Sequence, residues 1–351
     1  MDEHSSLLGA KFSSLDARIL SHYPQIRSIQ HGEIPFPRMA EIYPMYGCNL
    51  DCVGCEYTSD NQKGFKRLDT ARGLSLIDEL ADGGTEAIEF CGGGEPSLHP
   101  SLTEFVLRGG ARGIKFSMLT NGTTLTPHFL SEALPHFSYL RLTLDAADAA
   151  MYARTRPAKS GNPWEKVLGN FRALVAERKR QGLEKLAVSA KFLLSKINAH
   201  QLEAMAALAC ELGASSAQFK ALRLDPNELS AEEANDVEHR LVRLRATSPI
   251  PVLGSVGKIV MTKPCILTPL QVTIDAHGDV YLCCYFTHRK ERHSIGNISQ
   301  MRFSDVWGAD RHRAAIAGIQ PKECSNLDCR FVRYHDVVDK WMSDEANFSF
   351  I

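Results

Sequence analysis

Cys48, Cys52 and Cys55 form a C-x3-C-x2-C loop, and Gly92-Gly93-Gly94-Glu95-Pro96 follows about forty residues later. Three thiolates this close, with no fourth beside them, suit an iron–sulfur cluster that keeps one iron free of protein ligands. Structural zinc sites usually pair two cysteine knuckles to reach four ligands, and the second knuckle is missing here. Taken alone, the trio could also be a chance grouping, a zinc corner or a redox centre. Position narrows the choice: the trio follows an apolar stretch, Met39–Tyr43, and the glycine loop follows another, Ala87–Phe90. Both therefore sit at strand ends. A second set lies downstream, where Cys265, Gly278 and Cys283 are spaced C-x12-G-x4-C and Cys324 and Cys329 add another pair. Four thiolates complete a fully ligated iron–sulfur site or a four-cysteine zinc site.

The elements that must position these residues read as six strand–helix repeats. The strands are Met39–Tyr43, Ala87–Phe90, Ile114–Leu119, Tyr139–Leu144, Leu186–Leu193 and Ser216–Leu222, and the clearest helices span Glu165–Gln181 and His200–Leu212. Short strands alternating with amphipathic helices predict an α/β parallel sheet with right-handed crossovers. Six units fall short of the eight in a closed barrel. Residues 1–37 are expected to form an N-terminal helical cap, 38–228 the partial barrel, 229–254 a linker with a charged helix, and 255–351 a cluster domain and tail. Within that last part, Leu270–Asp275 and Val280–Leu282 flank a turn and read as a hairpin that returns Cys283 towards Cys265.

Side chains at i and i+2 share a strand face. Ala40, Ile42, Ile88, Phe90, Leu140, Leu142, Val188, Phe192 and Phe219 are expected to face the outer helices. The opposite set, Glu41, Glu89, Cys91, Arg141, Thr143, Ser189, Lys191, Gln218 and Lys220, then points into the lumen. A packed barrel fills its lumen with branched apolar residues. This polar set predicts either an ion-paired layer, acids with lysines, or a solvated cavity for a polar or anionic substrate.

Composition excludes several classes. With 40 Lys+Arg against 41 Asp+Glu, the chain offers no electrostatic case for nucleic acid or an anionic membrane. No run of ~18 apolar residues predicts a membrane span, and the N-terminus lacks a signal-peptide layout. Ten cysteines without an export signal point to the cytoplasm and metal ligation rather than disulfides.

The C-x3-C-x2-C and Gly-Gly-Glu motifs together resemble the radical S-adenosylmethionine (radical SAM) superfamily, and C-x12-G-x4-C resembles its SPASM/twitch extensions. The resemblance covers Met39 to about Tyr334. It implies a partial (β/α)6 TIM-like barrel with a small C-terminal twitch-type domain. It also implies S-adenosyl-L-methionine, two 4Fe-4S clusters and a flavodoxin- or ferredoxin-type electron donor. In that family the free iron chelates the cofactor's methionine end, and reductive cleavage yields a 5′-deoxyadenosyl radical that abstracts hydrogen from substrate. By position, Cys48, Cys52 and Cys55 would hold the first cluster and Cys265, Cys283, Cys324 and Cys329 the auxiliary one. Cys284 adjoins Cys283, but the Gly-x4-Cys count favours Cys283. Gly93, Gly94 and Glu95 match the loop whose backbone meets the cofactor's amino group, a close approach that glycine permits. Thr143 and Arg156 match further cofactor contacts, with Arg154 as the alternative to Arg156. Ser189 is a candidate ribose contact from its orientation alone. One departure is Gly54, where the family usually has an aromatic residue near the adenine; Tyr57 is the candidate to cover that face.

The expected chemistry is hydrogen abstraction from a polar small molecule (sugar, aminocyclitol or nucleoside), with the auxiliary cluster accepting a second electron in a net dehydrogenation. Lys191 and Lys220 are the candidate substrate contacts. An epimerase would instead need a thiol donor, for which Cys91 and Cys284 are candidates, whereas Cys210 reads as helix core. Maturation of a ribosomally made peptide is the third reading. It is weighed down because some 37 residues before the first strand are too few for the leader-binding domain such relatives often carry.

Overall fold

Each predicted strand forms, and the alternation within it sets which side chains meet the helices. The strands are β1 (Met39–Ile42), β2 (Met45–Tyr46), β3 (Lys66–Arg67), β4 (Ala87–Phe90), β5 (Lys115–Thr120) and β6 (Phe137–Thr143). They continue as β7 (Ala187–Leu194), β8 (Ser216–Ala221), β9 (Val252–Ser255), β10 (Gln271–Ile274), β11 (Asp279–Tyr281) and β12 (Ser294–Asn297). The computed structural model describes residues 19, 21–57, 65–263, 265–284, 290–324, 329 and 331–343. Expectations on residues 1–18 and 20 of the cap and 344–351 of the tail lie outside the described residues.

All strands but β2 and β3 join one open sheet, ordered β12-β11-β10-β1-β4-β5-β6-β7-β8-β9. From β10 through β9 every pairing is parallel. The six repeats are thus extended at both edges, by β9 beside β8 and by β10 beside β1. The row stays open, because β9 and β10 sit at its opposite ends. The cluster domain is therefore not a separate body: Met39 pairs with Gln271 and Ile42 with Ile274. Its hairpin forms as expected, with Thr273 opposite Tyr281 and Ile274 opposite Val280.

Helices cover one face of the sheet. The helix Thr70–Asp82 starts on Asp69, whose side chain accepts the Arg72 N–H, and it buries Gly73, Leu76, Ile77 and Leu80, one helical stripe. Trp164–Arg180 buries Trp164, Val167, Leu168, Phe171 and Leu174. These side chains form one core with Ala40, Ile42, Ile88, Phe90, Leu140, Leu142, Val188, Phe192 and Phe219. The linker helix runs Ala231–Thr247 behind a Ser230/Glu233 capping box. In the N-terminal segment, Tyr23–Gln30 is helical and packs Ile26 with Leu267, Leu270 and Val338. That helix therefore leans on the C-terminal segment. Among the described residues, no helix is long and apolar enough to cross a membrane.

Candidate active site

The cysteine loop is held from three sides. Asp51 and Val53 donate backbone N–H groups to Pro157 and Thr155 at 2.8 and 2.9 Å, and Leu50 bridges Ala158. Beneath the loop, Gly94 N–H donates to Met45 at 2.7 Å and Glu95 N–H to Gly47 at 3.2 Å. A Cβ on Gly94 would lie 2.1 Å from the Gly47 carbonyl oxygen, so the glycine loop can lie against the cysteine stem only without side chains.

The Glu95 side chain turns inward as a strut. Its carboxylate accepts from Ser97 N at 3.0 Å, Ser97 Oγ and Thr120 Oγ1 at 2.5 Å and Asn121 N at 2.7 Å. Only the backbone of this loop remains for a ligand, in keeping with the expected role of Gly93, Gly94 and Glu95.

Arg156 and Arg154 separate clearly. Arg154 is exposed, whereas Arg156 is 7% exposed and its Nη1 donates to Asp145 Oδ2 at 2.5 Å. Asp145 is in turn fixed by the Leu193 N–H at 2.6 Å and by a left-handed backbone, φ 54°. The Arg156 Nε is buried with no hydrogen-bond partner. An orphaned guanidinium N–H beside Cys52 fits a ligand carboxylate. Thr143 is buried on the lumen face, paired in register with Lys191. Burial pushes the Cys52 thiol up to about 12, opposed by Arg156, and raises Cys48 as well. Binding a metal here therefore means expelling protons from these thiols.

Tyr57 and Ser189 each have a partner within the fold. Tyr57 does not cover Gly54. Its ring packs edge-on against Tyr43 at 5.7 Å, with the two hydroxyls 3.2 Å apart. Leu222 lies against Gly54 instead, its Cδ1 only 2.4 Å from where a Cβ would be, and the left-handed backbone there, φ 67°, favours glycine. Ser189 lies beneath Lys191 on β7 with 1% exposure, and its hydroxyl is 2.8 Å from that of Ser216. That hydroxyl is engaged with Ser216, and Ser189 is not among the residues lining the Lys191 pocket.

The lumen divides into two parts. On the β1–β6 side, Glu41, Glu89 and Cys91 place ligand atoms within 4.8 Å of one another, all buried. Glu89 accepts from the Tyr139 hydroxyl and from Ser117 at 3.5 Å, and Glu41 from Cys91 Sγ at 3.3 Å and Thr273 at 3.5 Å. Arg141 stacks over the Tyr139 ring at 4.5 Å. The expected pairing of these acids with the lysines is not what forms for Lys191. Lys191 and Lys220 line a separate pocket of about 180 Å3 with Gly54, Glu56, Leu193, Ala221, Leu222 and Arg223. Among the described residues no carboxylate forms an ion pair with Lys191, and burial together with Lys220 lowers its pKa to about 8. Gly54 and Glu56 belong to the cysteine loop, so this pocket adjoins the candidate cluster.

Downstream, Cys265 feels the charges of Cys329 and Cys324, and burial raises it to about 12. Cys265, Cys283, Cys324 and Cys329 contact one core, whereas Cys284 faces Tyr43 and Cys91. The two cysteine regions are clamped together, since Tyr46 beside the first loop donates to Asp275 in the hairpin turn at 3.1 Å. Asn121 and the placement of Leu222 against Gly54 are features that sequence reasoning missed, and Asp145 was read only as part of the Thr143-Leu144-Asp145 motif.

An open parallel sheet with a three-cysteine loop, a glycine cradle and a second cysteine set at its edge defines an iron–sulfur enzyme that binds a small cofactor at its strand ends. Residues 42–208 match the radical SAM superfamily and residues 265–330 an iron–sulfur cluster-binding domain, SPASM. The chain belongs to the radical SAM superfamily and carries a SPASM-type C-terminal domain, so its cofactors are S-adenosyl-L-methionine and two 4Fe-4S clusters. It is similar to the mycofactocin maturase MftC of Mycolicibacterium smegmatis, 27% identical over 283 residues, covering 75% of this chain and 68% of the relative. It is also similar to an AdoMet-dependent heme synthase of Methanosarcina barkeri, 26% identical over 309 residues, covering 77% of this chain and 82% of the relative. Its fold matches the crystal structure of Streptococcus suis SuiB bound to S-adenosylmethionine, with TM-score 0.65 and 13% identity, covering 88% of this chain and 75% of that one.

Proposed function

We propose that this radical SAM enzyme dehydrogenates an alcohol of a polar, anionic small molecule of sugar, aminocyclitol or nucleoside type. The supporting observation is Lys191, a half-buried cation that forms no ion pair with a described carboxylate and faces a pocket beside the cysteine loop. A buried cation is costly unless an anion meets it, and a bound substrate carboxylate or phosphate would supply one. Lys220, on the neighbouring strand, adds a second positive charge to the same pocket. Cys48, Cys52 and Cys55 hold the first cluster in this reading, and Cys265, Cys283, Cys324 and Cys329 the auxiliary one. Arg156, oriented by Asp145, takes the cofactor carboxylate, while the backbone of Gly93–Glu95 takes its amino group and Thr143 lies alongside. When bound, the cofactor and its cluster supply hydrogen abstraction, and the auxiliary cluster an electron acceptor. In balance, the substrate carbon loses a hydrogen atom, its hydroxyl loses a proton, and one electron leaves through the protein.

Two other outcomes have support. Similarity to a peptide maturase favours a peptide substrate. Cys91 beside Glu41, its thiol held protonated by burial, favours hydrogen return and epimerisation. Mass analysis after anaerobic turnover in deuterated water separates the three. Loss of two hydrogens supports dehydrogenation. A product unchanged but for one deuterium indicates epimerisation, and a modified peptide indicates maturation. Reconstitution should load about eight irons, falling to about four when Cys48, Cys52 and Cys55 become Ala. Zinc in place of the second four irons would overturn the auxiliary assignment.

A further inference from the structure

The loop after β5 carries a device that the cofactor reading leaves unexplained. Asn121, 4% exposed, has its backbone N–H on Glu95 Oε2 at 2.7 Å. Its side-chain oxygen accepts from Thr123 N at 2.9 Å and from Thr123 Oγ1 at 2.6 Å. A backbone N–H can only donate, so the amide oxygen is fixed towards Thr123 and the NH2 group points the other way. One of its hydrogens goes to Asn49 Oδ1 at 2.9 Å. Asn49 Nδ2 then donates to Thr123 Oγ1 at 2.7 Å, closing a ring of three side chains whose donors and acceptors all match. One N–H of Asn121 is left over, and it points at Cys48 Sγ, 3.7 Å away.

We infer that Asn121 is a positioning residue that sets the reduction potential of the first cluster by donating a hydrogen bond to the Cys48 sulfur. Adding an electron makes the cluster and its ligand sulfurs more negative, so an N–H aimed at one of them favours the reduced state. Cys48 Sγ also receives the Leu50 backbone N–H at 3.5 Å, but only the Asn121 bond depends on a side chain. The Glu95 strut and the three-residue ring keep this donor from rotating away. The chain therefore links its cofactor loop to the electronic state of its cluster through Glu95, Asn121 and Cys48. None of this depends on which substrate is used.

The test is a redox titration of the reconstituted holoenzyme followed by electron paramagnetic resonance, with the first cluster identified as the signal that changes on adding S-adenosylmethionine. Asn121→Leu keeps the volume and removes the N–H. At a fixed applied potential it should lower the reduced-to-oxidised ratio of that signal about tenfold, equivalent to ~59 mV for one electron. The auxiliary signal and the iron content should stay unchanged. An unaltered midpoint in a fully loaded variant overturns the inference, as does an equal shift of both clusters. Should Asn121→Leu fail to take up iron, Thr123→Val reads the same point: it keeps the N–H but removes the hydroxyl that closes the ring. A smaller shift of the same sign supports the role, and no shift overturns it.

Discussion

The two parts of the lumen are built from similar residues and behave differently. On the β1–β6 side the carboxylates of Glu41 and Glu89 are met by Tyr139, Ser117, Thr273 and Cys91. On the β7–β8 side Lys191 faces a pocket in which described carboxylates leave it without an ion pair. The first part is complete within the fold. In the second, Glu56 pairs with Arg223 at 2.5 Å and Lys191 has no ion pair with a described carboxylate. Polar residues on a shared strand face therefore do not simply neutralise one another, because register and depth decide who meets whom.

Lys191→Met is the strongest way to break this contrast. Removing the cation should raise KM by about thirtyfold or more, the low end of the cost of truncating one partner of a buried charge pair, with both clusters still loaded. Initial rates against substrate concentration measure it, and an unchanged KM would make the pocket lysine structural. Tyr139→Phe sharpens the other side. It strips a donor from a buried carboxylate, so chemical denaturation should show a loss of about 1.5–3 kcal/mol, while KM stays within about twofold.

Smaller effects follow from protonation. Because Lys191 is held near about 8 rather than at its ordinary 10.5, anion binding should weaken as pH rises through about 8. KM should climb there, and the climb should vanish in Lys191→Met. The stability sign is opposite to that of an ion-paired lysine. The folded protein binds fewer protons than the unfolded chain between about 8 and 10.5, so the cost of burying the ammonium is full below about 8 and is relieved on the way to 10.5. Lys191→Met should therefore stabilise the enzyme by about 1–2 kcal/mol at neutral pH, a gain that shrinks towards pH 10.5. A destabilised variant at neutral pH would mean the ammonium is satisfied within the fold.

Much of this molecule was legible before its structure. Strand alternation identified which side chains meet the helices, from Ala40 to Phe219, because the period of two is a local property of the backbone. The cysteine spacings and Gly-Gly-Glu carried the resemblance that implied the cofactors, because both motifs are contiguous in the chain. Tertiary structure alone decided the rest. It set Leu222, not Tyr57, against Gly54, for those strand ends are far apart in sequence. It turned the Glu95 carboxylate into a strut, aimed Arg156 rather than Arg154 at the cysteine loop, and spread the acids and lysines over separate layers of the lumen. It also joined β10 to β1, so that the cluster segment shares the barrel's own sheet. Sequence periodicity fixes the face on which a side chain lies. Which residue stands opposite depends on strand order and register, and those come from long-range pairing that no local spacing records.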